Sequence, residues 1–310
     1  MRLADGVVAG EVRAVARALS AVERGGAEAE ELLAALAGRG GGVATLGVTG
    51  PPGVGKSTLV QSLGLALGRS GARIAVLAID PSSPFSGGAL LGDRIRMAAL
   101  TDAGAFVRSM ATRGALGGLT AATADAVDVL QAAPFDWILL ETVGVGQDEV
   151  DVAGEVDTVV VVTAPGLGDE VQAVKAGLYE VADLFVVNKA DTAGADETAA
   201  VLEAMLEGAA ERAWRVPVLP VSARNGDGVD GLLEAVHEHR DFLGGNGRRD
   251  ALRRQRALRR LERVVGAMAW AGVCSRAPEA LDRVAGRLAA GEVDVYRGAR
   301  QLLEGLKREG

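Results

Sequence analysis

The chain has 310 residues, of which 49% are hydrophobic, and a formal net charge of −8. This length allows one full α/β core with helical additions, and the acidic balance makes a nucleic-acid polymer a poor expected partner. The single cysteine, Cys274, excludes a disulfide framework and a multi-cysteine zinc site. No apolar run is long enough for a transmembrane helix and no signal pattern opens the chain, so we expect a cytoplasmic protein without a membrane partner.

Helical and β-type patterns divide the chain into three predicted segments. Apolar residues at helical spacing occupy residues 11–37, with a break at Gly25-Gly26, and a glycine-rich stretch follows. We therefore expect an N-terminal helical extension over 1–42, an α/β domain over 43–243 and a C-terminal helical arm over 244–310.

Six short apolar runs in the central segment alternate with helical stretches. They are VATLGVTG, RIAVLAID, DWILLE, DTVVVVTA, DLFVVNK and VPVLPVS. Strands that are apolar along most of their length are typical of a parallel sheet covered by helices on both faces. The sequence therefore predicts an α/β fold with a doubly wound, mostly parallel sheet.

The C-terminal segment opens with an arginine-rich helix and continues with two shorter helices, around 277–289 and 292–307. The long helix carries apolar residues at 3-4-3 spacing, which is typical of a narrow seam for a partner helix. These residues are Leu258, Leu261, Val265 and Met268. Its arginines suit a solvated face or an acidic protein partner better than a nucleic acid, because the chain as a whole is acidic.

The stretch GPPGVGKST fits the phosphate-binding pattern G-x-x-x-x-G-K-[ST] between a predicted strand and a predicted helix. Its glycines let backbone N–H groups turn toward phosphate oxygens, Lys56 should reach the β- and γ-phosphates, and Ser57 should give its hydroxyl to Mg²⁺. The predicted phosphate-site residues are Gly50, Pro51, Pro52, Gly53, Val54, Gly55, Lys56, Ser57 and Thr58.

A second motif, NKAD, indicates that the base is guanine. The Asp191 carboxylate can accept hydrogen bonds from N1–H and from the 2-amino group of guanine, whereas adenine has neither donor there. Lys189 can lie along the base plane while Asn188 braces the loop. A backbone N–H from the SAR stretch can bind the guanine oxygen, so GTP and GDP are the expected ligands. The residues of that stretch are Ser222, Ala223 and Arg224.

Carboxylates near the ends of predicted strands are candidate metal ligands. Glu141 begins ETVG, where many GTPases have D-x-x-G, so it can reach Mg²⁺ or its waters while Gly144 offers its N–H to a γ-phosphate. Asp80 and Asp93, with Ser57, complete the candidate metal shell. Asp80 can equally cap the turn that follows it, and Asp93 can equally be a charge at a helix N-terminus.

These motifs resemble those of the MeaB/ArgK family of P-loop GTPases in the SIMIBI class, the GTP-dependent chaperones of methylmalonyl-CoA mutase. Besides the P-loop, the resemblance rests on DPSSPFSGGALLGDRIRM, RSMATRGALGG, ETVGVGQDE and GDEVQAVKAG, and it covers essentially the whole chain. It implies a P-loop G domain with an N-terminal helical extension and a C-terminal arm that forms a homodimer. It also implies slow GTP hydrolysis and action on an adenosylcobalamin-dependent acyl-CoA mutase, in which the GTPase gates cofactor loading and protects the enzyme.

The resemblance further implies three switch loops. Residues 81–97 would form switch I, residues 142–150 switch II, and a third loop would run from Asp169 to Lys175. In the family, that Asp and Lys communicate with switch II, although from spacing alone Lys175 can equally be a solvated helix residue.

The candidate catalytic residues are Lys56, Asp93, Glu141 and Gly144. Lys56 and the P-loop amides, with Mg²⁺, would stabilise charge on the γ-phosphoryl group, but no residue declares itself as the catalytic base. Gln147 can position the attacking water or can be an ordinary loop residue. The candidate arginine fingers are Arg94, Arg108 and Arg113.

Three other functions fit parts of the pattern. A nickel or zinc metallochaperone needs thiolate or imidazole clusters, which one cysteine and two histidines on one predicted helix, His237 and His239, do not supply. A protein kinase acting on a transport binding protein would need an acceptor site, and none is evident. A nucleotide-gated scaffold would need binding without turnover. The pattern D-x-H-x-x-G, the lower-ligand motif for cobalamin, does not occur, so the corrinoid should belong to the partner.

Overall fold

The structure, a computed structural model, describes residues 2–80, 97–111, 118–142, 154–166, 178–208 and 212–308. The chain divides into two compact units, Met1–Arg254 and Gln255–Gly310. The sequence-based division at residues 42 and 243 stays a prediction. Inside the described ranges, we find no helix with the length and apolar character that a bilayer crossing requires.

A sheet of seven parallel strands, counted over the described residues, forms the centre of the first unit. Its order is β3-β2-β4-β1-β5-β6-β7. The strands are β1 (Ala44–Thr49), β2 (Ile74–Asp80), β3 (Phe106–Ala111), β4 (Trp137–Thr142), β5 (Thr158–Thr163), β6 (Leu184–Asn188) and β7 (Val218–Val221). Six of these strands coincide with the six apolar runs, so the predicted parallel sheet is confirmed. The seventh, β3, is an edge strand that the sequence pattern did not reveal, because Arg108 and Ser109 interrupt its apolar run.

Helices cover both faces of this sheet, as the apolar strands predicted. They are α1 (Leu3–Val8), α2 (Val12–Arg24), α3 (Ala27–Leu36), α4 (Lys56–Arg69), α5 (Ala98–Asp102), α6 (Gly118–Ala132), α7 (Leu178–Val181), α8 (Ala195–Glu207) and α9 (Val229–Gly244). The break predicted at Gly25-Gly26 is confirmed. Both glycines have positive φ (71° and 82°), a conformation that ends α2 and lets α3 start in a new direction.

Successive strand residues point to opposite faces, so the sheet separates two apolar layers. In one layer, Leu77 of β2 and Leu140 of β4 share a core with Leu19 of α2. In the other, Leu139 of β4 shares a core with Leu63 of α4. The N-terminal helices therefore cover one face of the sheet, and the helix that follows the phosphate-binding stretch covers the other.

The second unit contains helices that pack around a small core of their own. Helix α10 (Arg248–Arg276) begins in the first unit and continues into the second, where α11 (Pro278–Ala289) and α12 (Val295–Arg308) follow. Val273, Val284 and Leu302 form the buried core. The three predicted C-terminal helices are confirmed, and the four seam residues on α10 are each more than half exposed.

A buried histidine connects α9 to the sheet. The Nδ1 atom of His239 lies 2.9 Å from Thr158 Oγ1 on β5, and its Nε2 atom lies 3.4 Å from an oxygen of Asp183. The ring centroid lies 4.9 Å from that of Trp214. Burial lowers the pKa of His239 from 6.5 to about 4, against the smaller opposing effect of the Asp157 charge. The ring is therefore neutral in the folded protein at neutral pH.

Replacing His239 should reduce the acid sensitivity of folding. Since the folded-state pKa is about 4 and the ordinary value is 6.5, below pH 6.5 only the unfolded chain takes up this proton. Through this residue the wild type should lose about 2 to 4 kcal/mol of unfolding free energy as pH falls from about 6.5 to 4, with no such loss above that window. Urea denaturation at several pH values should show a shallower acid slope for His239→Gln.

The matched control is His237→Gln, because His237 is exposed on the same helix. This control should retain the acid slope of the wild type. An acid slope in His239→Gln as steep as that of the wild type would contradict the assignment.

Candidate functional site

The phosphate-binding stretch connects β1 to α4, and its backbone requires glycine. Gly55 precedes the first residue of α4 with φ 93°, and a Cβ there would lie 2.5 Å from the side-chain nitrogen of Asn188. A Cβ at Gly50, with φ 139°, would collide with the carbonyl oxygen of Val162. The loop therefore approaches β5 and β6 more closely than any side chain would allow.

Lys56 and Ser57 form the N-terminal end of α4, where backbone N–H groups and the helix dipole favour anions. The Lys56 side chain is buried, and its Nζ atom donates hydrogen bonds to the carbonyl oxygens of Gly50 at 2.6 Å and Pro51 at 2.9 Å. The ammonium group thus lies inside the loop that the sequence predicts to surround the phosphates.

Ser57 meets Glu141 across the end of the sheet. Ser57 Oγ donates a hydrogen bond of 2.5 Å to Glu141 Oε1, and the Glu141 side chain is buried at the end of β4. Because Glu141 follows Leu139 at a spacing of two, it lies on the sheet face that α4 covers. A serine hydroxyl beside a carboxylate is an oxygen donor set of the kind that Mg²⁺ prefers, so these two residues fit the metal that the sequence predicts.

Several predicted site residues lie outside the described part of the chain. They are Asp93, Gly144, Gln147, Asp169, Lys175, Arg94 and Arg113, with most of the three switch segments. The backbone of Asp80 ends β2 beside the end of β4, since the preceding residue, Ile79, is in register with Thr142. Among the residues that the structure describes, no three His, Cys, Asp or Glu side chains gather as a metal-binding cluster.

The NKAD motif follows β6, and Asn188 joins it to two other loops. The Asn188 side chain is buried, and its Nδ2 atom donates a hydrogen bond of 2.7 Å to Val54 O in the phosphate-binding stretch. Its Oδ1 atom accepts a hydrogen bond of 3.0 Å from the backbone N–H of Ala223. One side chain therefore connects the phosphate loop to both predicted base loops.

Lys189 makes a second connection between the same loops. Its backbone has φ 58°, an uncommon value for a residue with a side chain. Its Nζ atom donates a hydrogen bond of 2.9 Å to the carbonyl oxygen of Gly53. The aliphatic part of this side chain thus extends from the base motif to the phosphate loop, as a residue lying along a base plane would.

Asp191 is exposed, and its carboxylate is held in the ionised form. Ser222 Oγ donates a hydrogen bond of 2.7 Å to Asp191 Oδ1. This hydrogen bond, with the backbone N–H of Asp191 and the charge of Arg224, lowers the pKa of the Asp191 carboxyl below its ordinary value. An ionised, oriented carboxylate can accept the two hydrogen bonds that guanine offers on its N1 and 2-amino edge.

Arg108, one of the three candidate arginine fingers, lies on the opposite face of the sheet from α4. It is in register with Leu77, whose side chain belongs to the layer of the N-terminal helices. Its Nη2 atom lies 3.0 Å from Glu23 Oε2 and 3.1 Å from Ser20 Oγ, both on α2. The expectation for Arg108 is therefore corrected, because the period-two alternation of β3 directs this side chain to α2 instead of to the phosphates.

Comparison with known proteins identifies the family. A model described as "Methylmalonyl Co-A mutase-associated GTPase MeaB" matches residues 15–277. The chain belongs to the MeaB family of GTPases. The recognition made from the motifs is therefore confirmed, and the family is one that acts on guanine nucleotides.

Relatives of this MeaB-family chain occur in archaea, bacteria and mammals. A Pyrococcus abyssi protein with a GTPase name is 44% identical over 301 residues, 95% of this chain and 93% of its own length. GTPase ArgK of Escherichia coli is 39% identical over 261 residues, 80% of this chain and 78% of its own. The mouse methylmalonic aciduria type A homolog is 40% identical over 208 residues, 65% of this chain and 50% of its own.

A solved structure supports the fold. The structure titled LAO/AO transport system kinase superposes with a TM-score of 0.73 at 26% identity, over 98% of this chain and 96% of the other. The predicted doubly wound P-loop fold with helices at both ends is therefore confirmed.

Sequence reasoning missed one polar residue near the base loops. Ser62 on α4 donates a hydrogen bond of 2.6 Å to the carbonyl oxygen of Ala223. No motif marks Ser62, because a serine within a helix gives no sign in the sequence of which neighbouring element it faces.

Removing the Asn188 side chain should destabilise the first unit. Asn188→Ala would leave the Val54 carbonyl and the Ala223 N–H buried without their partner, which should cost about 2 to 4 kcal/mol of unfolding free energy. Chemical denaturation without nucleotide measures this loss. The control Asn225→Ala, in the exposed turn beside Ala223, should change stability by less than about 0.5 kcal/mol. Equal effects of the two substitutions would contradict the bracing role.

Proposed function

We propose that the chain is a GTP-hydrolysing chaperone of an adenosylcobalamin-dependent acyl-CoA mutase of the methylmalonyl-CoA mutase type. In this proposal it gates cofactor loading and protects the mutase. The observation that carries the nucleotide part is the pairing of Asp191 with Ser222, next to a phosphate loop braced by Asn188. The partner is supported by the family description and by the name of the mouse relative.

Guanine selectivity follows from the charge of the base site. The ionised Asp191 would accept from the N1–H and 2-amino groups of guanine, whereas adenine would place a lone pair against it. Hydrogen bonds to a charged group contribute about 1.5 to 3 kcal/mol each, so two of them separate GTP from ATP by a large factor.

The phosphates would bind at the N-terminus of α4. Lys56 would exchange its two carbonyl partners for the β- and γ-phosphates, and the backbone N–H groups of the loop would bind the remaining oxygens. Ser57 and Glu141 would hold Mg²⁺ directly or through its waters. When bound, the metal supplies positive charge that offsets the negative charge of the phosphates.

A slow intrinsic rate is expected because the described residues include no group placed to activate water. The residues proposed for catalysis that lie in the switch segments, Asp93 and Gly144, would act when a partner orders those segments. A mutase that binds the GTP form would then raise the turnover number.

The C-terminal helices are proposed as the dimerising arm. Four apolar residues on α10 at 3-4-3 spacing are exposed, with 58%, 59%, 56% and 66% of their surfaces accessible for Leu258, Leu261, Val265 and Met268. Exposed apolar residues at this spacing are typical of a seam between two helices. A second copy of the chain is the partner proposed for this seam.

A kinase acting on a transport binding protein is the second candidate, because the solved relative carries that title. A kinase would transfer the γ-phosphoryl group to protein, whereas a GTPase transfers it to water. Incubation with γ-labelled GTP distinguishes the two, since label appears on protein in the first case and as inorganic phosphate in the second.

Asp191→Asn should change the base preference from guanine to xanthine. The amide can donate to the C2 oxygen of xanthine but repels the 2-amino group of guanine, so GTP affinity should fall by about 10-fold to 100-fold and XTP affinity should rise. Nucleotide titrations measure both constants. Asp196→Asn, an exposed carboxylate in the first turn of α8, should leave the preference unchanged. Retained preference for GTP in Asp191→Asn would refute the assigned base site.

The full proposal is tested by GTP hydrolysis, with ATP as a control, for the chain alone and with purified adenosylcobalamin-dependent mutases. Slow GTP-selective turnover should rise with one mutase. Lys56→Ala should abolish nucleotide binding, whereas Glu141→Gln should bind GTP and hydrolyse it more slowly. Stimulation by no mutase, with guanine selectivity intact, would refute the chaperone role. Full mutase protection by Glu141→Gln would instead favour a nucleotide-gated scaffold.

A further inference from the structure

Ser62 donates its hydrogen bond to a different element from the one that a helical serine usually contacts. Serines within helices commonly bond to a carbonyl three or four residues earlier in the same helix. Ser70, at the end of α4, does this with the carbonyl of Leu67 at 2.7 Å. Ser62 is only partly exposed and donates to Ala223 O at 2.6 Å, 161 residues later in the chain.

The carbonyl that Ser62 binds belongs to the same peptide unit as the Arg224 N–H. In a trans peptide the C=O and N–H groups point in opposite directions, and the described chain contains no cis peptide. Because Ser62 holds the Ala223 carbonyl toward α4, the Arg224 N–H points away from α4.

The Arg224 N–H is also the donor that the loop leaves available. The Ala223 N–H donates to Asn188 Oδ1, and the next two N–H groups, of Asn225 and Gly226, both donate to Ser222 O. Among the described residues, the Arg224 N–H has no backbone acceptor. The same loop carries Ser222, whose hydroxyl orients the Asp191 carboxylate.

We propose that Ser62 is a positioning residue for guanine recognition: by holding the Ala223 carbonyl, it directs the Arg224 N–H toward the guanine O6 atom. This inference rests on the proposed guanine-nucleotide function. It assigns the O6 contact to the Arg224 N–H, since the Ala223 N–H is already bound to Asn188. The hydroxyl also polarises the peptide, which strengthens its N–H as a donor.

The test uses three nucleotides that differ at single base positions. GDP offers O6, N1–H and the 2-amino group; 6-thio-GDP replaces O6 with sulfur, a poor acceptor; inosine diphosphate keeps O6 and lacks the 2-amino group. Ser62→Ala should weaken GDP and inosine diphosphate about 3-fold to 10-fold, as expected for one hydrogen bond. It should weaken 6-thio-GDP much less, so preference for oxygen over sulfur falls while preference for guanine over inosine stays constant.

Two matched variants accompany Ser62→Ala. Ser62→Thr keeps the hydroxyl and should restore the wild-type preference for GDP over 6-thio-GDP. Ser70→Ala removes a hydroxyl from the same helix and should leave all three affinities unchanged. Thermal unfolding of each variant confirms that it is folded before titration.

The alternative outcomes separate the inference from the proposed function. Equal weakening of all three nucleotides, or no weakening, with wild-type selectivity for GDP over ADP intact, would overturn the role of Ser62 alone. Absence of that selectivity in the wild type would overturn the proposed function and this inference with it.

Discussion

The buried amide of Asn188 is the interaction on which the site depends. Its nitrogen binds a carbonyl of the phosphate loop and its oxygen binds an N–H of the SAR loop. A buried amide with both functions paired has one orientation, because rotating it would leave two buried backbone groups unsatisfied. The phosphate loop and the base loops are therefore fixed relative to one another before any nucleotide binds, which reduces the ordering cost of binding.

The alternation of parallel strands explains how the rest of the site is arranged. Glu141 lies on the face of the sheet that α4 covers, so it meets Ser57 at the end of β4. Arg108 lies on the other face and pairs with Glu23 of α2. The N-terminal helices thus cover the face opposite the phosphate helix, and they contribute packing to the sheet without contributing a residue to the described nucleotide site.

Much of this arrangement could be predicted from the sequence because strong local patterns carry it. Six fully apolar runs gave six of the seven strands, and the P-loop and NKAD motifs marked Lys56 and Asn188. What the pattern missed depends on contacts between distant segments. Strand β3 has polar residues in its middle and pairs on one side only, and the roles of Ser62 and Arg108 depend on the face each one occupies, which becomes known only once its neighbours are placed.

Amide hydrogen exchange of the chain alone, with GDP and with ADP at the same concentration, tests the central claim most directly, because it reports on both halves of the site at once. If the phosphate and base loops form one guanine-specific unit, GDP should slow exchange in the phosphate loop and at residues 222–226 together, and ADP should slow it at neither. Equal protection of the phosphate loop by ADP, or protection by GDP of that loop without residues 222–226, would contradict the account.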